Sequence, residues 1–407
     1  MFKNIKNDFP MFKNIQEMQG NRFVYLDNAA TTFKPYSVIE GCNSYYNFYN
    51  ANSHRGDYDI AQSVDQKVLE TRRRCAEFLN AEENEIIFTA GATMSINTIA
   101  YGYVKKFLKP GDEILVTEAE HASNLLPFIR FIDDGIVMNY INLDKDGRVT
   151  PENVEDAITE NTKMICIAHV TNVLGYVNDI KKICEIAHKH GIIVAVDGAQ
   201  SVPHMVTDVK DLDCDFLSFS CHKMCGPTGL GILYGKYELL QKMDPFMTGG
   251  GMNVRFGLCG EVKFLNAPER FEAGTLNLEA IYGFNETLKY LMKIGMENIE
   301  KREKSLRNYA ISRLKENPNI IIYNEKAESG IISFNYKNVF AQDEATYLNS
   351  KGIAVRSGQH CAKLLDDFLE TAATVRASIY FYNDEEDIDA LVEALKTGGD
   401  FLDAYFN

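Results

Sequence analysis

Lys163-Met-Ile-Cys-Ile-Ala168, then Asn178-Asp-Ile-Lys-Lys-Ile-Cys-Glu-Ile-Ala-His-Lys-His-Gly191, then Ile192-Ile-Val-Ala-Val196 read in order as strand, helix and strand. The two flanking runs are short and apolar on both faces, the pattern of strands covered above and below by crossover helices. Between them Ile180, Ile183, Cys184 and Ala187 fall on one helical face, and Gly191 supplies the stop. Outward from this unit, Glu85-Ile-Ile-Phe-Thr89, Glu113-Ile-Leu-Val-Thr117, residues 136–143, Phe216-Leu-Ser-Phe219 and Gly231-Ile-Leu-Tyr234 add further strands. The expected fold is therefore α/β, a large domain with a mostly parallel sheet flanked by helices.

Beyond the sheet the pattern changes. A long helical stretch over 278–315 leads to strands near 320–323 and 331–335, a short helix over 342–350, a strand Ile353-Ala-Val-Arg356 and a last helix over 384–395. These predict a smaller C-terminal α+β domain. The expected division is an N-terminal segment at 1–20 packing with the small domain, a large domain at 21–285 and a small domain at 286–407. The segment Met1-Phe-Lys-Asn-Ile5 recurs as Met11-Phe-Lys-Asn-Ile15. Two copies do not make a stacked repeat.

Composition narrows the partners. The 407 residues are 45% hydrophobic, enough for a sizeable core, and the formal net charge is −15. That balance argues against nucleic acid. Arg72-Arg-Arg74 lies in an amphipathic helical pattern with Glu70 and Glu77 and reads as a solvated face. No apolar run reaches the roughly 18 to 20 residues that span a bilayer, and no signal pattern opens the chain, so a cytoplasmic protein is expected. Nine cysteines are scattered without a disulfide framework. Cys221 and Cys225 flank His222, but no second ligand pair has zinc spacing, and no metal is expected.

Ligands of parallel sheets bind beyond the carboxyl ends of the strands. There the sequence places Thr93, His121, Asn172, Asp197 and Lys223, one after each of five strands. Any one of them alone has a structural reading, as helix cap, satisfied core histidine or surface lysine. Lys223, at the end of a buried strand before a glycine-rich turn, is equally readable as a surface residue or as a desolvated amine able to condense with an aldehyde. The turn Thr89-Ala-Gly-Ala-Thr93 brings small residues to a helix start, where backbone amides such as that of Ala92 and the Thr93 hydroxyl can cradle a phosphate. Phosphate cradle, carboxylate and amine on one rim together describe a phosphorylated aromatic aldehyde, pyridoxal 5'-phosphate.

Ten stretches carry a resemblance that runs nearly end to end. They are Tyr25-Leu-Asp-Asn-Ala-Ala-Thr-Thr32, Asn52-Ser-His-Arg-Gly56, Glu120-His-Ala-Ser-Asn124, Thr171-Asn-Val-Leu-Gly175, Val196-Asp-Gly-Ala-Gln-Ser201, Ser220-Cys-His-Lys223, Gly226-Pro-Thr-Gly229, Arg270-Phe-Glu-Ala-Gly-Thr275, Val355-Arg-Ser-Gly-Gln-His-Cys361 and Arg376-Ala-Ser378. Jointly they resemble the class V aminotransferase-like, fold type I pyridoxal phosphate enzymes, and among them the SufS-type cysteine desulfurases. The resemblance implies a homodimer in which Lys223 holds the cofactor as a Schiff base and then moves the substrate Cα proton. It implies Asp197 on the ring nitrogen, His121 on the ring face and Gln200 on the ring hydroxyl. Ala92, Thr93, Ser220 and His222 would hold the phosphate, with Thr275 from the other subunit.

Arg376 suits the substrate carboxylate through its two-pronged fork, with Asn172, Arg356 and His54 nearby. Cys361 matches the nucleophile of the desulfurases. The expected reaction turns L-cysteine into L-alanine and leaves a persulfide on Cys361, for transfer to an acceptor protein of SufE or SufU type in iron–sulfur cluster assembly. A cationic neighbour such as Arg356 or His360 would help the thiolate. A selenocysteine lyase, another class V lyase or aminotransferase, and a non-catalytic sulfur carrier on the same fold stay open. The chain departs from the family pattern at Asp57-Tyr-Asp-Ile60, Cys221, Gln359 and Lys363-Leu-Leu-Asp-Asp-Phe-Leu369, near the site entrance, which bears on the acceptor and on substrate preference.

Overall fold

The computed structural model describes residues 2–53 and 56–396. All seven expected strands of the middle region form, and all seven join one sheet. They are β1 (Ile86–Thr89), β2 (Glu113–Thr117), β3 (Val137–Ile141), β4 (Thr162–Ala168), β5 (Ile193–Asp197), β6 (Phe216–Ser220) and β7 (Gly231–Gly235), in the spatial order β1-β7-β6-β5-β4-β2-β3. Pairing is parallel from β3 through β6, while β7 runs antiparallel to both β6 and β1.

Side chains from these strands bury on both faces, as their sequences demand. Along β4, Met164 and Cys166 enter one apolar cluster and Ile165 and Ile167 enter the other. Helix α1 (Tyr36–Phe48), α2 (Asp59–Leu79), α3 (Ala92–Ile99), α4 (Ile180–Lys189) and α5 (Leu278–Ile294) are the principal helices of this region. In α4 the expected face of Ile180, Ile183, Cys184 and Ala187 is buried. Gly191 has φ +68°, the left-handed conformation a helix stop requires.

The expected helix over 278–315 is two helices, α5 and α6 (Met296–Leu314), broken at Gly295 with φ +86°. Helix α5 runs unbroken across the division expected at 285/286. A second sheet follows, β8 (Ile320–Ile322), β9 (Ile331–Tyr336), β10 (Arg356–Gly358) and β11 (Thr374–Ser378), antiparallel throughout in the order β8-β9-β11-β10. Helices α7 (Ala341–Ser350) and α8 (Glu385–Lys396) complete its apolar cluster. The stretch Ile353 to Arg356 is not one strand. Ile353–Ala354 pairs in parallel with Val24–Tyr25, and Arg356 starts β10.

The N-terminal segment lies across the junction. Phe9 is fully buried, with its ring 4.8 Å from that of Tyr382 and 6.0 Å from that of Tyr290. Lys6 bonds Asp384 and Asp387.

The solvated face expected for Arg72-Arg-Arg74 is corrected at its first residue. Arg72 is 4% exposed and forks onto Glu272 at 2.9 and 2.8 Å, with its guanidinium 4.6 Å from the centre of the Phe88 ring. Glu272 also accepts from the backbone N–H of Phe88, so the pair fastens β1 to the 269–275 stretch. A charge buried at this depth is tolerated only with its partner in place. Arg72→Met is expected to cost about 3–5 kcal/mol in chemical denaturation, and adding Glu272→Leu to it should recover part of that loss.

Candidate active site

The five polar residues that follow the strands meet. Thr93, His121, Asn172, Asp197 and Lys223 line one cavity of about 230 Å³, together with Ala92, Gln200, Ser220 and His222. The second sheet closes it from the other side with Arg356, His360, Cys361 and Arg376. Thr275 is exposed and does not line the cavity of its own chain, and His54 lies outside the described residues.

Local sequence explains the rim. Gly91, at φ +150°, turns the chain out of β1 into α3, and it packs so closely on β7 that a Cβ on Gly231 would lie 2.4 Å from its Cα. The first helical amide, that of Ala92, donates to Ser220 Oγ at 2.8 Å, and the Thr93 hydroxyl meets that of Ser123 at 2.8 Å. These amides and hydroxyls sit at the positive end of a helix. After β6, a single tight turn, Cys221–Lys223, swings Lys223 to the cavity.

Burial sets the charge states. Desolvation lowers Lys223 to about 8, opposed by the nearby Asp197 carboxylate. Asp197 accepts from the backbone N–H of Ala199 at 2.9 Å, yet burial still raises its pKa. His121 is lowered to about 4 by burial and by the charges of Lys223, Arg376 and Arg356, so it is neutral near pH 7. Its Nδ1 accepts from the backbone N–H of Ser123 at 3.0 Å, which leaves the proton on Nε2.

One expectation fails here. His360 does not supply positive charge to Cys361, because burial lowers it to about 3 and its Nε2 is turned to Thr374. The cations on the wall are Arg356 and the buried Arg376. Cys361 is exposed, whereas Cys75, Cys166, Cys184, Cys214, Cys221 and Cys225 are buried.

The sequence reading missed the strap formed by residues 27–34. Asp27 bonds Arg376, the carbonyl of Ala29 accepts from Gln200 Nε2 at 2.8 Å, and Thr31, Thr32 and Lys34 all donate to the carbonyl of His222. Ala29 and Ala30 line the cavity itself. The motif Tyr25-Leu-Asp-Asn-Ala-Ala-Thr-Thr32 was the available signal, but nothing in its spacing points to residues nearly 200 positions away.

The residues present fit a phosphorylated pyridine aldehyde. Among the described residues, Asn172 Oδ1, Gln200 Oε1, His360 Nδ1 and Arg376 Nε are buried around the cavity without a protein partner. Polar atoms buried in this way call for a polar ligand. The amine, the carboxylate and the hydroxyl-lined helix start answer respectively to an aldehyde, a ring nitrogen and a phosphate.

The chain belongs to the aminotransferase class-V family, whose model matches residues 24–391, and it is a pyridoxal phosphate enzyme of fold type I. Within that class it is similar to the cysteine desulfurases. A probable cysteine desulfurase of Halalkalibacterium halodurans is 43% identical over 404 residues, 99% of each chain. The apo structure of a cysteine desulfurase from Thermococcus onnurineus superposes with a TM-score of 0.91 at 35% identity, covering 97% of each chain. The cysteine desulfurase CsdA of Escherichia coli, solved as an S-sulfonic acid, gives 0.89 at 34% identity, again over 97% of each.

The lowered Lys223 amine makes a pH prediction for the cofactor-free protein. An amine adds to an aldehyde only when neutral, so reductive methylation of Lys223 should rise with pH to a plateau with its midpoint near 8. Ordinary surface lysines titrate about two units higher. Asp197→Asn removes the charge that holds the ammonium and should move the midpoint down, as followed by peptide mass spectrometry.

Proposed function

We propose that the protein is a cysteine desulfurase that converts L-cysteine to L-alanine and keeps the sulfur as a persulfide on Cys361. The observation that supports this reading best is an exposed thiol on the wall that carries two guanidinium groups, in the same cavity as a neutralisable amine.

In this reading Arg376 binds the substrate carboxylate, with Asn172, Arg356 and His54 beside it. Pyridoxal phosphate, held by Lys223, Asp197, Gln200, Ala92, Thr93, Ser220 and His222, supplies an electron sink for the substrate's Cα electrons. The Lys223 amine takes and returns the Cα proton. Neutral His121 lies against the reacting centre and adds no charge to it. The Cys361 sulfur, as thiolate, forms a bond to the substrate sulfur while the substrate's carbon–sulfur bond breaks, and the three-carbon remainder takes up a proton and leaves as L-alanine.

The persulfide then passes to an acceptor protein of SufE or SufU type, in support of iron–sulfur cluster assembly in the cytoplasm. We further assign a homodimer in which Thr275, exposed and away from its own cavity, serves the partner's phosphate site. The domain division fits best at Gly295, where the helical stretch breaks, with a large unit before it and a small unit after.

Pure protein given L-cysteine and a reductant should release sulfide and alanine in equal amounts. Cys361→Ala should lower that release by on the order of 10³ or more while leaving the cofactor's visible absorbance intact. Sulfide production by this variant at the parent rate would falsify the persulfide mechanism.

A further inference from the structure

Asn172 touches three parts of the site at once. Its backbone carbonyl accepts from Arg376 Nη1 at 2.8 Å, and its side-chain Nδ2 donates to the backbone carbonyl of His360 at 2.7 Å. Its Oδ1 is buried, and no group among the described residues satisfies it, although Asn172 lines the cavity. Because the amide nitrogen must face the His360 carbonyl, the free end of the amide is an acceptor.

The turn held by that bond is strained. His360 and Cys361 have φ of +50° and +60°, left-handed in succession with no glycine between them. Such residues persist only where their surroundings over-determine them. The backbone carbonyls of both residues are anchored from the rim of the central sheet. Asn172 holds that of His360, and the N–H of Ala122, the residue after His121, donates to that of Cys361 at 2.7 Å. Thr374 holds the His360 ring from behind.

We infer that Asn172 is a positioning residue that couples filling of the cavity to the placement of Cys361. A donor on the bound cofactor or substrate fixes the amide through Oδ1, and the fixed amide holds the His360 carbonyl and with it the turn that presents the thiol. With no such donor the amide is held by its bond to the His360 carbonyl alone, so this anchor of the left-handed turn opens more often. The coupling rests on reading the cavity as a pyridoxal phosphate site.

Hydrogen exchange of residues 356–364, measured by mass spectrometry on the full chain with and without saturating pyridoxal phosphate, tests it. In the unsubstituted protein, loading should slow exchange there by about fivefold or more. Asn172→Asp, which sets an oxygen against the His360 carbonyl, and Asn172→Ala should exchange at the fast rate in both states. In these variants iodoacetamide should alkylate Cys361 equally fast with and without the cofactor. Cofactor uptake is read separately from its visible absorbance. No uptake by the unsubstituted protein overturns the cofactor reading and the coupling together. Uptake with unchanged exchange at 356–364 overturns the coupling alone, whether or not either variant folds. Equal protection in the parent and both variants removes Asn172 from the role.

Discussion

A guanidinium group with 2% of its residue exposed cannot be left to water, and Arg376 is such a group. Its two terminal nitrogens are satisfied by the carbonyl of Asn172, on the rim of the central sheet, and by Asp27, on the N-terminal strap. Arg376 itself belongs to the small antiparallel sheet. One buried cation thus requires three distant parts of the chain to come together, and the cavity is the space they enclose. Burial lowers Arg376 to about 10, which leaves it charged across the neutral range, so the requirement does not lapse with modest changes in pH.

The same desolvation that makes Arg376 demanding makes its neighbours quiet. His121, His222 and His360 are each lowered to between about 3 and about 4, so none adds positive charge to the cavity near pH 7. The site therefore separates its functions by charge: guanidinium groups for an anion, an amine that is neutral in part, and imidazoles that act by shape and hydrogen bonding. In the proposed reading an electron-withdrawing cofactor would gain from this arrangement, since added cations in the cavity would oppose a protonated ring nitrogen.

Legibility in the sequence followed the chemistry of burial. The seven strands of the central sheet were readable because apolar residues on both faces leave few other solutions. Polar residues at their ends were readable because a strand end is where a parallel sheet offers polar groups a role. Strand Thr374–Ser378 was not, because Arg376 and Ser378 interrupt its apolar pattern and are satisfied by Asp27, Asn172 and Leu26, which local sequence cannot reveal. Arg72 was misread for the same reason: its near neighbours are charged, but its partner, Glu272, is 200 residues away. The Cys361 turn was legible as a motif, while its left-handed backbone and its anchors were not.

The strap and the N-terminal segment have a bearing on synthesis. Lys6 bonds Asp384 and Asp387, Val24 pairs with Ile353, and Asn28 bonds the carbonyl of Ser378. None of these contacts can form before the ribosome has passed residue 353, although the central sheet, complete by Gly235, can assemble well before then. Residues 6–28 are therefore placed only after much of the chain that follows them, and a nascent chain stalled before residue 350 would carry Lys223 and the Ala92 helix start but not Arg356, Cys361 or Arg376. The cavity is therefore closed only by residues made long after its lysine.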